Sequence, residues 1–274
     1  MVKDESASAP ALAIGVDVGG TAVKAGEVDL SLGRLVGSPQ RLATPRPAVI
    51  NDVLGTVSDA VRRLEQTHRN SDLGRLAVGV GLSGDVRDGE HTTGVNLDPS
   101  WVGAPARRLL EARLQRSVRI INDGDAAGIG EIRYGAGRGV NGVLVMLTFG
   151  TGIGSAIFHG GRLLPNSGLG QFPFRGTDVE LLLSAVARER RGLTWRAWAD
   201  ELNDFLAILD GMLRPDLIIV GGGASEAWPE YSHYLRSFPS VVRAELGNAA
   251  GIVGAASFAS AWPQRIPSRP GGEE

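Results

Sequence analysis

Three glycine-rich segments and one acidic pair carry the chemistry that can be read from this chain. In Asp17-Val18-Gly19-Gly20-Thr21 a carboxylate closes an apolar run and is followed by two glycines and a hydroxyl. Backbone N–H groups exposed at glycines bond phosphate oxygens, Thr21 adds a donor, and Asp17 suits a hydrated Mg2+ ion. The same residues also suit a hairpin turn with Asp17 as a turn residue. Lys24, three positions on, sets a compact positive charge beside the turn. A second loop, Thr148-Phe149-Gly150-Thr151-Gly152-Ile153-Gly154, offers hydroxyls and glycines to further phosphates, or is a plain glycine hairpin. The third, Gly221-Gly222-Gly223, ends an apolar run, where nucleotides bind in open α/β sheets. Asn122-Asp123 ends another. A carboxylate placed there accepts a proton from a substrate hydroxyl, as phosphoryl transfer to an alcohol requires. Alternatively, Asp123 or Asp125 caps the helix that follows.

Composition narrows the field. The 274 residues include 39 glycines, roughly twice the ~7% of an average protein. They are not periodic, and they cluster at the ends of apolar runs, as tight turns beneath a ligand would. Cysteine is absent, which excludes disulfides, thiolate zinc sites, cysteine nucleophiles and iron–sulfur clusters. Lys3 and Lys24 are the only lysines; arginine supplies the other cations. A net charge of −2 without a basic run argues against a nucleic-acid partner. No apolar stretch reaches the ~18 residues of a membrane span, and Met1–Pro10 lacks a signal-peptide core, so a cytoplasmic protein is expected. His68, His91, His159 and His233 have no metal-ligand spacing. Ser83 stands in Gly81-Leu82-Ser83-Gly84-Asp85, without the closing glycine of a hydrolase elbow.

These loops need rigid elements to hold them, and apolar periodicity supplies strands alternating with helices, an α/β architecture. Strands are predicted at 12–18, 22–28, 76–82, 117–121, 143–147, 153–158 and 217–220. Helices are predicted at about 49–64, 101–114, 179–190, 195–213 and 249–262. "IGVDVGGTAVKAGEV" and "VMLTFGTGIGSAIF" echo one another as strand, polar residue, glycine turn, strand. Two related halves, each giving one hairpin to a cleft, would produce the echo; so would chance. The expected organisation is one lobe of 12–122 plus 248–262, a second of 123–247, and flexible tails at 1–11 and 263–274.

Taken in order, "GVDVGGTAVKAG", "NLDPSWVG", "INDGDAAGIGEIRYGAG", "LTFGTGIGSAIF", "LIIVGGGAS" and "NAAGIVGAA" resemble the ROK-type sugar kinases, and among them the polyphosphate glucokinases, over residues 12–262. The resemblance implies an actin-like ATPase (ribonuclease H-like) fold, two α/β lobes around a cleft. It also implies a cytoplasmic homodimer, without zinc, that uses Mg2+ with ATP or inorganic polyphosphate to phosphorylate a sugar or polyol. Carried over by position, Asp17, Gly19, Gly20, Thr21 and Lys24 match the first phosphate motif, with Asp17 toward magnesium through water. Thr148, Gly150, Thr151, Gly152 and Gly154 match the second, and Gly221, Gly222 and Gly223 the nucleotide loop. Asp123 matches the catalytic base, and Asn96, Asn122, Glu180 and Gln171 fall at the sugar pocket. One segment departs from the pattern. Where the family reads Asn-x-Glu-Leu-Gly-His, this chain has Asn166-Ser167-Gly168-Leu169-Gly170-Gln171, losing a carboxylate and an imidazole that grip sugar hydroxyls. The donor half of the site therefore looks complete, and the acceptor half looks altered, which leaves a changed acceptor or a non-catalytic binding protein as alternatives. Arg133, Arg138, Arg175 and Arg188–Arg191 are candidates for an anionic track, or for solvated helix faces.

Overall fold

A computed structural model describes residues 12–67, 76–91, 98–236 and 240–261. The first sheet begins with β1 (Leu12–Val18) and β2 (Ala22–Asp29), an antiparallel hairpin around Gly19-Gly20-Thr21. Two short strands, β3 (Arg34–Leu35) and β4 (Gln40–Ala43), pair side by side with the outer edge of β2. Helix α1 (Ile50–Thr67) then returns the chain to β5 (Val78–Leu82), parallel to β1. After a small hairpin of β6 (Val86–Arg87) and β7 (Glu90–His91), helix α2 (Ala106–Leu114) leads to β8 (Val118–Asn122), parallel to β5.

Helix α3 (Asp123–Tyr134) starts where β8 stops. A second sheet follows with β9 (Val143–Phe149), β10 (Ile153–His159) and β11 (Arg162–Leu164), all antiparallel neighbours. The hairpin β12 (Pro173–Phe174)–β13 (Thr177–Asp178) and helices α4 (Glu180–Leu183), α5 (Ala185–Arg190) and α6 (Trp195–Leu213) come next. Then β14 (Leu217–Gly221), helix α7 (Trp228–Tyr231) and β15 (Val241–Arg243) complete the sheet, and α8 (Ala250–Ala261) follows it. The sheet orders are β3-β2-β1-β5-β8 and β11-β10-β9-β14-β15. In both, an antiparallel hairpin is extended by two parallel strands, so the sequence echo is a repeated topology.

Strand alternation decides which helix covers which face. Ile14, Val16 and Val80 join α1 in one core, and Val145, Leu147 and Ile218 join α6 in another. The opposite faces turn inward: Leu144 and Met146 pack on α3, and Ala13 and Val28 on α8. Helices α3 and α8 also pack on each other, so a double helical layer lies between the two sheets. Small residues make this layer thin. A β-carbon at Gly15 or Gly79 would overlap the carbonyl oxygens of Ile252 and Ala255 on α8. Much of the glycine excess therefore serves helix packing, where the sequence suggested only ligand turns.

Two predicted helices are broken. Pro105 confines α2 to Ala106 onward, with a short 3-10 turn at Pro99–Trp101 before it. Ser184, extended at φ −59° and ψ 157°, divides the 179–190 segment and caps α5 by accepting a bond from the Ala187 N–H.

Candidate active site

The glycine turns and Asp123 converge on one cavity of about 730 Å3 at the carboxyl ends of the central strands. Their convergence follows from the repeated topology. Each hairpin turn projects from the same end of its sheet, and the two meet: Gly20 approaches Thr151 so closely that an added β-carbon would lie 3.6 Å from its hydroxyl oxygen. Gly19, Gly20, Thr21, Lys24, Thr148, Gly150, Thr151, Gly152 and Gly154 all line the space. In the third loop only Gly222 and Gly223 do so. Gly221 is the last residue of β14, outside the lining. Gly222 has φ +72°, and a β-carbon there would press on the Phe149 backbone, so glycine is the residue that fits. Asp17 stands just behind the lining, its carboxylate 3.1 Å from the Lys24 ammonium.

The cavity floor is the β8–α3 junction. Asn122 caps α3, its Oδ1 accepting from the Asp125 N–H at 2.9 Å, so the capping role falls to the asparagine. Its Nδ2 donates to the Gly84 carbonyl. Asp123 is left beside the cleft, its Oδ1 accepting from the Gly124 N–H at 2.8 Å. Crowded by protein and close to the charge of Asp17, its carboxyl is pushed up to about 6.

Asp125 is a part of this floor that sequence reasoning considered only as a cap. It is buried, and burial, with Asp123 and Asp85 nearby, pushes its carboxyl up to about 7. Its Oδ2 accepts from the Asn166 N–H at 2.8 Å, and its Oδ1 is buried without a partner among the described residues. Asn166 in turn clamps Val86, accepting from its N–H at 3.0 Å and donating to its carbonyl at 3.1 Å. The 83–86 segment after β5 and the 166–171 segment after β11 are thus held together across the cleft. A contact between residues eighty apart leaves no local sequence signal.

On the acceptor side, Gly168 and Gln171 both line the cavity. Gly168 is in the left-handed region at φ +61° and opens the 3-10 turn Leu169–Gln171. Glu180 is buried at the start of α4, its Oε2 accepting from the Ile153 N–H beneath the second glycine turn. Asn96 lies outside the described residues. The arginines offered for an anionic track stand away from this cavity. Arg133, Arg138, Arg175 and Arg188–Arg191 do not line the cavity. Arg175 pairs with Asp204 at 2.6 Å and Arg191 with Glu201 at 2.7 Å, while Arg188 lies over the Trp195 ring. The cations that do line the cavity beside Lys24 are Arg41 and Arg46, which sequence reasoning missed because one lies on the short polar strand β4 and the other in the loop after it.

The ROK family profile matches residues 13–170, which hold both facing glycine turns and Asp123. The chain belongs to the ROK family. A polyphosphate glucokinase of Mycobacterium tuberculosis is 40% identical over 243 residues, covering 88% of this chain and 89% of the relative. One from Mycobacterium leprae is 38% identical, covering 90% and 74%. Among solved structures, an inorganic polyphosphate/ATP-glucomannokinase from Arthrobacter sp. strain KM superposes with a TM-score of 0.87 at 43% identity, over 90% of this chain and 98% of that one. A ROK family glucokinase from Streptomyces griseus, in complex with glucose and AMPPNP, gives 0.77 at 27% identity, over 90% and 99%. This ROK protein accordingly has the actin-like ATPase fold and is a phosphotransferase with a hydroxyl group as acceptor.

Proposed function

We propose that the protein transfers a phosphoryl group from ATP or inorganic polyphosphate to a sugar or polyol hydroxyl, with Asp123 as general base. The observation that carries this reading is the position of Asp123 in one cavity with the two facing glycine turns, Gln171 and Glu180. The donor names of the Mycobacterium and Arthrobacter relatives support the choice of donors.

The backbone N–H groups of Gly20, Thr151 and Gly152 hold the transferred phosphate and its neighbours, those of Gly19 and Gly150 being bonded to the Ala22 and Gly152 carbonyls, and the Thr21 and Thr151 hydroxyls add donors. Lys24 places its charge against the same phosphates. Gly222 and Gly223 approach the nucleotide end of an ATP donor. Asp123 takes the proton of the attacking hydroxyl, which Asn122, Glu180 and Gln171 orient. No cluster of three or more metal-ligating side chains occurs among the described residues. A magnesium ion in phosphoryl transfer uses one or two carboxylates, several waters and the phosphates themselves. Asp17 and Asp123, two acidic groups close enough to interact, fit that pattern. Bound there, magnesium would supply neutralisation of the phosphate charge.

The pocket wall favours a particular refinement. With Gly168 and Gln171 in place of a carboxylate and an imidazole, it is roomier and has two ionisable groups fewer, which suits an acceptor other than glucose. The family pattern further suggests a cytoplasmic homodimer; no helix among the described residues is long and apolar enough to cross a membrane. A coupled assay with ATP and with polyphosphate over a panel of sugars and cyclitols tests the proposal. Turnover of at least one acceptor is expected; a folded protein that binds donor and turns over none would overturn it in favour of a non-catalytic binding protein.

A further inference from the structure

A row of charge crosses three strands at the rim of the cavity. Asp17 on β1 is directly opposite Lys24 on β2, and Lys24 is directly opposite Arg41 on β4. Directly opposed residues share a face of the sheet at a strand spacing of about 4.8 Å, so the three side chains form a single file. Asp17 takes up the charge of Lys24 at 3.1 Å. Arg41 has no such partner. Neither Arg41 nor Arg46 makes an ion pair or side-chain hydrogen bond with a described residue, although both line the cavity. Two adjacent cations on one sheet face repel, and an anion between them turns that cost into attraction.

The segment bearing these arginines is fastened to the first phosphate turn. The Thr44 hydroxyl donates to the Gly19 carbonyl at 2.6 Å, and the Thr44 N–H donates to the Thr21 carbonyl at 3.1 Å. Arg41 and Arg46 therefore keep a fixed relation to whatever the turn holds. Near Gly222 and Gly223 the charge is reversed. There Glu226, bonded by the Asn248 amide at 2.6 Å, stands beside Gly222 and Gly223. A long polyanion is repelled beside Glu226 and attracted at the β4 edge, whereas a nucleoside has no net charge to repel.

We propose that Arg41 and Arg46 form a subsite for the distal phosphates of a linear polyphosphate. Such a chain leaves the glycine turns over the edge of β4 and not along Gly222–Glu226, the stretch assigned above to the nucleotide of ATP. The inference rests on the polyphosphate-donor reading above and adds the direction in which that donor runs. It predicts a dependence on chain length that ATP cannot show, because only a chain longer than the turns can hold reaches both guanidinium groups.

The test is steady-state kinetics of the full chain with long-chain polyphosphate, tripolyphosphate and ATP. Wild type is compared with Arg41→Ala/Arg46→Ala and with Arg175→Ala, a surface cation remote from the cavity, and melting temperatures confirm folding. For the double variant, kcat/KM with long chains is expected to fall about tenfold or more relative to kcat/KM with ATP, the size of a lost charge-assisted contact. Its preference for long chains over tripolyphosphate should disappear, and Arg175→Ala should leave both ratios as in wild type. A wild type that uses long chains, with a double variant that keeps both the ratio and the length preference, overturns the subsite alone. A wild type that uses ATP but no polyphosphate of any length overturns the donor reading and the subsite together.

Discussion

The two walls of the cleft are built from different material. The donor wall is made chiefly of backbone: glycine turns whose N–H groups are presented by hairpins in two repeated sheets. The wall proposed for the acceptor is made of side chains, with Asn122, Asp123 and Gln171 supported by the Asp125–Asn166–Val86 clamp and Glu180 reaching beneath the second glycine turn. A backbone wall depends on turn geometry and accepts little change. A side-chain wall can be rewritten one residue at a time, and in this chain the substitutions at 168 and 171 fall there.

Replacing Asp123, the base proposed above, should give the largest effect. Asp123→Asn is expected to lower kcat by about 10^2 to 10^4 with every acceptor while the far-ultraviolet spectrum stays native, since general bases contribute in that range. The donor wall should be the more brittle under small changes. Gly222→Ala puts a β-carbon against the Phe149 backbone at positive φ, at a cost of roughly 1–3 kcal/mol. A lowered melting temperature and a raised KM for ATP are the measurable signs, and a neutral result would show that the backbone wall yields more than its packing implies.

On the acceptor wall, a gain is expected. Gly168→Glu with Gln171→His restores two hydroxyl-binding groups, each worth about 1–3 kcal/mol when buried partners are satisfied. The left-handed backbone at Gly168 costs a glutamate roughly 1 kcal/mol of this. Glucose kcat/KM should therefore rise about tenfold with a slightly lower melting temperature. An unchanged or lower rate would place the divergence of the pocket elsewhere.

Smaller effects follow from pH. A base at Asp123, as proposed, must be ionised to accept a proton, so kcat/KM should climb with pH and level off above about 6, a profile that Asp123→Asn abolishes. The raised carboxyls have the opposite influence on stability. Asp123 and Asp125 titrate in the folded protein above their unfolded value of 3.8, so their contribution is full below about pH 4 and is lost as pH rises through about 6 and 7. Asp125→Asn retains an acceptor for the Asn166 N–H but cannot ionise. Its melting temperature should fall less between pH 5 and 8 than that of wild type; an equal fall would remove Asp125 from the titration.

Much of the donor wall was legible because its signals are local. A strand ending in Asp17 with two glycines after it, and the similar Thr148 segment, announce a hairpin by composition alone. The acceptor wall depends on contacts such as Asn166 with Val86, for which neither residue carries a local mark. Helix boundaries failed where one residue overruled a periodic pattern, at Pro105 and at Ser184. Arg41 and Arg46 escaped notice because their role depends on β4 pairing with β2, while the more conspicuous cluster at Arg188–Arg191 is spent on carbonyl oxygens, Glu201 and an aromatic ring.

The thin helical layer between the sheets also bears on how this protein could be made more heat-resistant. Exchanging glycine for alanine commonly stabilises a protein by restricting the unfolded chain, yet at Gly15, Gly79 and Gly254 the added methyl would meet a carbonyl oxygen of a neighbouring helix. Gly55 in the middle of α1 and Gly211 near the end of α6 have open space around the same position. Alanine at those two sites should contribute about 0.5–1 kcal/mol each. A consensus or design procedure that treated all these glycines alike would improve the outer helices and break the middle of the molecule.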